Sequence, residues 1–214
     1  IIVRVEGCYG GWADAVLGGR RVEDEHGRPT VDFSILDDAQ EDPYSTLGRV
    51  PWAGDGVFMV PWNDADYLER VFEKFHDEIA GIHMEGHVWN HEGLKPLPGY
   101  LEKVRELCTK YDIVMSMDEV ICGFRVNIGG AQALTGVTPD ICTIGKALGN
   151  GIPTAAVAGK KKVMDCIRGG KVLCPGTYPG YGLGQVATDT VIDILSRDNC
   201  AIYGKVWKLQ EKLM

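Results

Sequence analysis

The sequence predicts an α/β domain built on a mostly parallel sheet. Short apolar runs alternate with segments of helical period. Two of the runs, IVMSM and ICTI, stop at polar residues, Asp118-Glu119 and Gly145-Lys146, as buried parallel strands do at their carboxyl ends. The chain has 214 residues, 45% of them apolar, enough for a substantial core.

The elements follow in order. Residues 1–5 (IIVRV) read as a strand, followed by a Gly-rich turn, Gly7 to Gly11, and a short helical stretch from Trp12. From Gly18 to Gly56 the chain is polar and rich in Asp, Glu, Gly and Pro, which predicts a long surface excursion. Asn63 or Asp64 then caps a helix carrying Tyr67, Leu68, Val71, Phe72 and Phe75 at helical spacing. IAGIHME (79–85) is a strand, Gly93 to Pro98 a loop, and Gly99 to Lys110 a helix with Leu101, Val104, Leu107 and Cys108 on one face. The strands at 113–117, 141–144 and 154–159 come next. Beyond Leu183, two helical segments break near Asp198-Asn199.

Composition narrows the function. With 22 Lys+Arg against 30 Asp+Glu, the formal net charge is −8, and no basic patch suits a nucleic acid or an anionic membrane. Seven scattered cysteines lack a C-x-x-C pair, which favours a reducing, cytoplasmic compartment. No apolar run reaches the roughly 18 residues of a membrane span. Ile1 starts inside a strand without an initiator Met, and Met214 ends inside a helical pattern, so the chain reads as a piece of a longer polypeptide.

Asp118 and Lys146 are the strongest chemical candidates, each just beyond a short strand. Carboxyl ends of strands line the ligand crevice of open α/β sheets. A lysine with apolar neighbours can lose its proton and attack a carbonyl as an amine, forming a Schiff base. A buried aspartate needs a cation, and a protonated pyridine nitrogen is one candidate. The bland alternative is a solvated lysine at a helix start and an aspartate capping a loop. His83, His87 and His91, spaced four apart, would share a helix face and could ligate zinc, but Gly81, Gly86 and Gly93 punctuate the stretch. Ordinary hydrogen-bonded loop histidines are the plainer reading. A nucleotide hydrolase is disfavoured for want of a G-x-x-x-x-G-K-[ST] loop.

The segments YGGWAD (9–14), PWNDADYLERVF (61–72), DEVICGFR (118–125), GGAQALTGVTPDICTIGKALGNGIP (129–153) and PGTYPGYGLG (175–184) together resemble the class III aminotransferases, in particular the glutamate-1-semialdehyde 2,1-aminomutase branch. The resemblance implies the three-layer large domain of fold-type-I enzymes that use pyridoxal 5′-phosphate, incomplete here at both ends. Residues 1–184 would be the central part of that domain. Residues 185–214 would lead toward a C-terminal small domain outside this chain. It implies amino-group transfer between a small-molecule amino donor and a keto or aldehyde acceptor, in a homodimer.

By the same resemblance Lys146 forms the Schiff base with the cofactor, and Asp118 holds the pyridine nitrogen protonated. Val120 packs under the cofactor ring, Tyr9 stacks over its other face, and Thr177 reaches the cofactor phosphate of the neighbouring subunit. No metal is implied. Glu85 is a lesser candidate for a place near the substrate, Arg125 for its carboxylate or, more plainly, for a structural ion pair, and Glu119 for organising the adjacent loop. The sequence departs from the family at Gly10, where a His is usual, at Gly86, where a Pro is usual, and at Gly180-Tyr181-Gly182-Leu183, where Gly-Asn-Pro-Leu is common. These departures bear on substrate preference. The family's Gly/Ser-rich phosphate cradle, expected upstream of Tyr9, is not in the chain. A fragment or binding module that keeps the fold without the chemistry is the non-enzymatic alternative.

Overall fold

In the computed structural model, residues 1–13, 15–16, 20–21, 40–41 and 54–213 are described, and they fall into two units, Ile1–Asp118 and Glu119–Met214. The first unit is a sheet with two helices. Strand β1 (Ile2–Val5) lies between β4 (Val57–Val60) and β5 (Gly81–Glu85), parallel to both, and β5 pairs in parallel with β6 (Val114–Glu119). The two-residue strands β2 (Arg20–Arg21) and β3 (Gln40–Glu41) extend the sheet beyond β4, parallel and antiparallel respectively. The rest of the excursion expected over 18–56 lies outside the described residues, except the turn at 54–56.

Burial explains the pattern. All four residues of β4 are buried, as in a strand covered on both faces. Val57-Phe58-Met59-Val60 is an apolar run that sequence reading left unassigned. Helix α1 (Ala65–Phe75) starts where Asp64 accepts a hydrogen bond from the Tyr67 amide at 2.8 Å, and buries Tyr67, Leu68, Val71 and Phe72. Helix α2 (Tyr100–Lys110) buries the expected Leu101, Val104, Leu107 and Cys108. The two helices pack together, with Lys103 3.4 Å from Glu69 across them. Leu68, Phe72, Ile82, Leu101, Leu107, Met115 and Met117 are fully buried, each contributing about 1.5–3 kcal/mol. Gly81 is required where β5 meets β6, because a Cβ there would lie 2.9 Å from the Val114 carbonyl oxygen. The helical stretch expected from Trp12 is instead a bend and a turn, in which the Val16 amide donates to Ala13 at 2.9 Å. Gly7, Gly10 and Gly11 just before it also disfavour helix there.

The second unit opens with the last residue of β6 and a tight turn. It contains α3 (Gly130–Thr135), β7 (Ile141–Ile144), β8 (Ala156–Gly159), α4 (Lys161–Arg168) and α5 (Gly182–Glu211). Strand β8 runs antiparallel to β7, a local exception to the mostly parallel sheet expected from the sequence. The helix α5 breaks at Arg197–Cys200, where Asp198, Asn199 and Cys200 have positive φ, as the pattern predicts near Asp198-Asn199. After the break Tyr203 is buried and its hydroxyl donates to the Phe124 carbonyl at 2.9 Å.

Candidate functional site

In the first unit the site residues gather at the carboxyl ends of β1, β5 and β6. Glu85 and Asp118 are register partners, both at least nine-tenths buried. The chain leaves β1 through a turn in which Gly7 has φ of 77° and the Cys8 amide donates to Val5 at 3.1 Å. Arg4 folds beneath this turn, donating to the carbonyls of Cys8 and Val16 at 2.6 Å each. Its head fills the space a side chain at position 10 would need, since a Cβ on Gly10 would lie 2.7 Å from Arg4 Nε. That is the physical account of the glycine found where the resembled family has a histidine.

Glu85 ties this turn to the loop after β5. One carboxylate oxygen accepts from the Tyr9 amide at 3.0 Å and from Asn90 Nδ2 at 2.9 Å, and the other accepts from the Trp89 amide at 2.8 Å. The Glu85 amide in turn donates to Cys8 Sγ at 3.3 Å, and burial pushes the Cys8 thiol up to about 12. With its carboxylate so engaged, Glu85 shapes the turn. Tyr9 leaves its ring 46% exposed beside it. His83, one residue pair before Glu85 on the strand, has its Nδ1 3.0 Å from Ser116 Oγ. Sequence reading weighed it only with His87 and His91, although the alternation His83, Glu85 along β5 was available as a signal.

The three histidines do not share a helix. His83 is on β5, His87 in a bend stacked on Trp89, and His91 ends a single 3-10 turn. Among the described residues no group of three or more His, Cys, Asp or Glu side chains is placed to hold a metal ion. No helix there is long and apolar enough to cross a membrane.

In the second unit, Lys146 follows β7 after Gly145 and opens a one-turn 3-10 helix, Lys146–Leu148. Its φ is 45°, a left-handed conformation uncommon for a lysine. The turn is fastened by Leu148 N–H to the Gly145 carbonyl at 3.0 Å and by Asn150 N–H to the Lys146 carbonyl at 3.1 Å. The Lys146 side chain is exposed, with no hydrogen-bond or ion-pair partner among the described residues. Its expected apolar surroundings are not formed by this chain's described residues. Val120 stands beside the same turn, where a Cβ on Gly145 would lie 3.4 Å from Val120 Cγ1. Next to it opens a cavity of about 750 Å³, lined by Ile144, Leu148, Thr154, Tyr181, Gln185 and Asp189 among others. Thr177 lies in the exposed segment before α5, in a turn closed so tightly that a Cβ on Gly176 would lie 2.9 Å from Pro179 Cδ. It makes no hydrogen bond among the described residues.

Glu119 is 1% exposed and accepts the amides of Ala131 at 2.9 Å and Gln132 at 3.0 Å, so beyond the adjacent loop it organises the start of α3. Arg125 is exposed and donates from Nε to the Ile121 carbonyl at 2.9 Å; an ion pair is not among its described contacts.

The profile of the class-III aminotransferases matches residues 49–213, most of the chain. The chain belongs to that family. It is similar to the glutamate-1-semialdehyde 2,1-aminomutase of Heliobacterium modesticaldum, with 36% identity over 197 residues, 92% of this chain and 42% of the relative. To the enzyme of the same name from Methanospirillum hungatei it is 46% identical over 130 residues, 60% of this chain and 31% of the relative. Among solved structures, an omega-transaminase from Sphaerobacter thermophilus superposes with a TM-score of 0.76 at 30% identity, covering 91% of this chain and 43% of that one. A glutamate-1-semialdehyde aminomutase from Pseudomonas aeruginosa in complex with PMP shares the fold, with a TM-score of 0.67 at 21% identity, over 89% of this chain and 41% of that one. The chain spans less than half the length of these relatives. The α/β class with a mostly parallel sheet, expected from the sequence, is therefore also the fold of this family.

Proposed function

We propose that the full-length protein transfers amino groups with pyridoxal 5′-phosphate, as an aminotransferase or as an aminomutase of the glutamate-1-semialdehyde type. The observation that carries this reading is Lys146, an unpartnered amine held in a left-handed turn at the end of β7, inside the stretch that matches the family. Residues held in such sparsely populated conformations cluster at functional sites. The donor set suits the cofactor: Lys146 offers an amine for an aldehyde, Asp118 a buried carboxylate for a ring N–H⁺, and Thr177 an exposed hydroxyl for a phosphate.

When bound, the cofactor supplies a carbonyl that takes up amines and a protonated ring that withdraws electrons from the substrate α-carbon. In this reading Lys146 Nζ would be the amine that holds the cofactor through its aldehyde group and the base that takes up the proton from the substrate α-carbon. Asp118 accepts the ring N–H⁺ and keeps that proton in place by a charge-assisted hydrogen bond. Val120 and Tyr9 would each pack against the ring, Tyr9 being held by its amide bond to Glu85.

Thr177 serves the phosphate of a neighbouring subunit, which makes the protein a homodimer with shared sites. Residues 1–184 then form the central part of the cofactor-binding large domain, and 185–214 lead toward a small domain. The substrates are a small-molecule amino donor and a keto or aldehyde acceptor. A cytoplasmic location is supported by seven cysteines that are all free. Borohydride reduction of the cofactor-loaded full-length protein, followed by peptide mapping, tests the reading. The adduct is expected on Lys146, and an adduct on Lys160, Lys161 or Lys162 refutes it.

A further inference from the structure

We propose that His83 is a positioning residue for Asp118: with Ser116 it holds an uncharged imidazole beside the carboxylate, and protonating that ring sets a second cation against the one Asp118 binds. The inference rests on the cofactor reading above and names a residue that reading does not use.

The placement follows from register. In β5 and β6, His83 pairs with Ser116 and Glu85 with Asp118, and in β1 Arg4 pairs with His83. Partners in a parallel pair point to the same side, and residues two apart along a strand share a face. Arg4, His83, Ser116, Glu85 and Asp118 therefore lie on one face, with His83 diagonal to Asp118. The hydrogen bond of 3.0 Å from His83 Nδ1 to Ser116 Oγ fixes the ring on the strand that carries Asp118.

The charges around the ring come from every strand it touches. Burial, the largest influence, pushes the His83 pKa below its ordinary 6.5. Asp118 from β6 opposes this, Arg4 from β1 adds to it, and the Tyr9 backbone and Glu85 oppose it. The neighbouring Cys8 thiol, pushed up to about 12, adds no charge near neutral pH. Burial and the Arg4 charge thus favour the neutral ring near neutral pH. In acid the imidazolium and a bound pyridinium compete for one carboxylate, and like charges so placed disfavour each other.

Pyridoxamine 5′-phosphate is the probe, because it carries the ring and phosphate but cannot form a Schiff base with Lys146. Its affinity for the full-length protein is measured by equilibrium dialysis at pH 7.5 and pH 5.5, for wild type and for His83→Gln, which can still hydrogen-bond Ser116 but does not titrate. The loss of affinity on acidification is expected to be about two- to fivefold larger in wild type than in the variant, the part of the tenfold for one pKa unit of interaction that is expressed when the pH lies near the His83 pKa. Equal acid losses in the two proteins overturn the proposal. Failure of wild type to bind the probe at any pH refutes the cofactor reading instead, and this inference with it.

A second measurement on wild type alone guards against a variant that folds poorly. Linkage is reciprocal, so the His83 pKa followed by NMR should fall by about one unit on loading with the probe. An unmoved His83 pKa in a protein that binds the probe overturns the proposal.

Discussion

Replacing Glu85 by Gln isolates what one buried carboxylate does for the turn that carries Tyr9. The wild-type side chain is 2% exposed and accepts three hydrogen bonds, two on one oxygen and one on the other. Glutamine has one oxygen. In its better orientation that oxygen keeps the Tyr9 amide and Asn90, and its NH2 then faces the Trp89 amide, donor against donor. One charge-assisted bond is lost, about 1.5–3 kcal/mol, and two others fall to neutral strength, so the sum is about 3 kcal/mol. With a urea m-value of about 2 kcal/mol/M, the unfolding midpoint should fall by about 1.5 M.

Amide exchange locates the loss. Protection should drop at Trp89 first and at Tyr9 less, while the amides of α2, remote in sequence from the turn, change only through the global stability. A midpoint within 0.3 M (roughly 0.6 kcal/mol) of wild type, with Trp89 protection unchanged, would refute the assignment of Glu85 to this turn.

Glu119→Gln should lower stability by about 2 kcal/mol for the same reason, because Ala131 and Gln132 each use one of its oxygens. Gly130→Ala should cost at least as much, since its φ is 64° and a Cβ would lie 2.4 Å from Glu119 Oε2; denaturant titration measures both. With iodoacetamide at pH 8, the exposed Cys174 should be labelled in the native protein and the buried Cys8 only after unfolding, as read by mass spectrometry. The neutral Cys8 thiol contributes its full stabilisation below the ordinary thiol value of 9.0, and the contribution should decline as pH rises toward about 12.

Several elements were legible locally. Asp64, followed by apolar residues at helical spacing, marks α1 because an N-cap and an amphipathic face are both encoded within a dozen residues. The break in α5 is encoded as briefly, in Asp198-Asn199, since Asn and Asp tolerate left-handed backbone better than most residues. The short strand at Val57–Val60 is not legible in the same way, because a four-residue apolar run has no period that separates strand from helix. Of the candidate site, Asp118 and Lys146 stand out in the sequence because each sits at the end of a short apolar run, a pattern confined to a few residues.

By itself, then, the sequence determined the α/β class, the buried faces of α1 and α2, and the family to which the chain belongs, all of which rest on spacing between near neighbours or on whole motifs. Tertiary structure decided what Glu85 accepts, why Gly10 has no side chain, and which face His83 shares with Asp118. Those depend on pairs such as Tyr9 and Glu85, 76 residues apart. The register between parallel strands brings such pairs together, and sequence periodicity within one strand says nothing about register with the next.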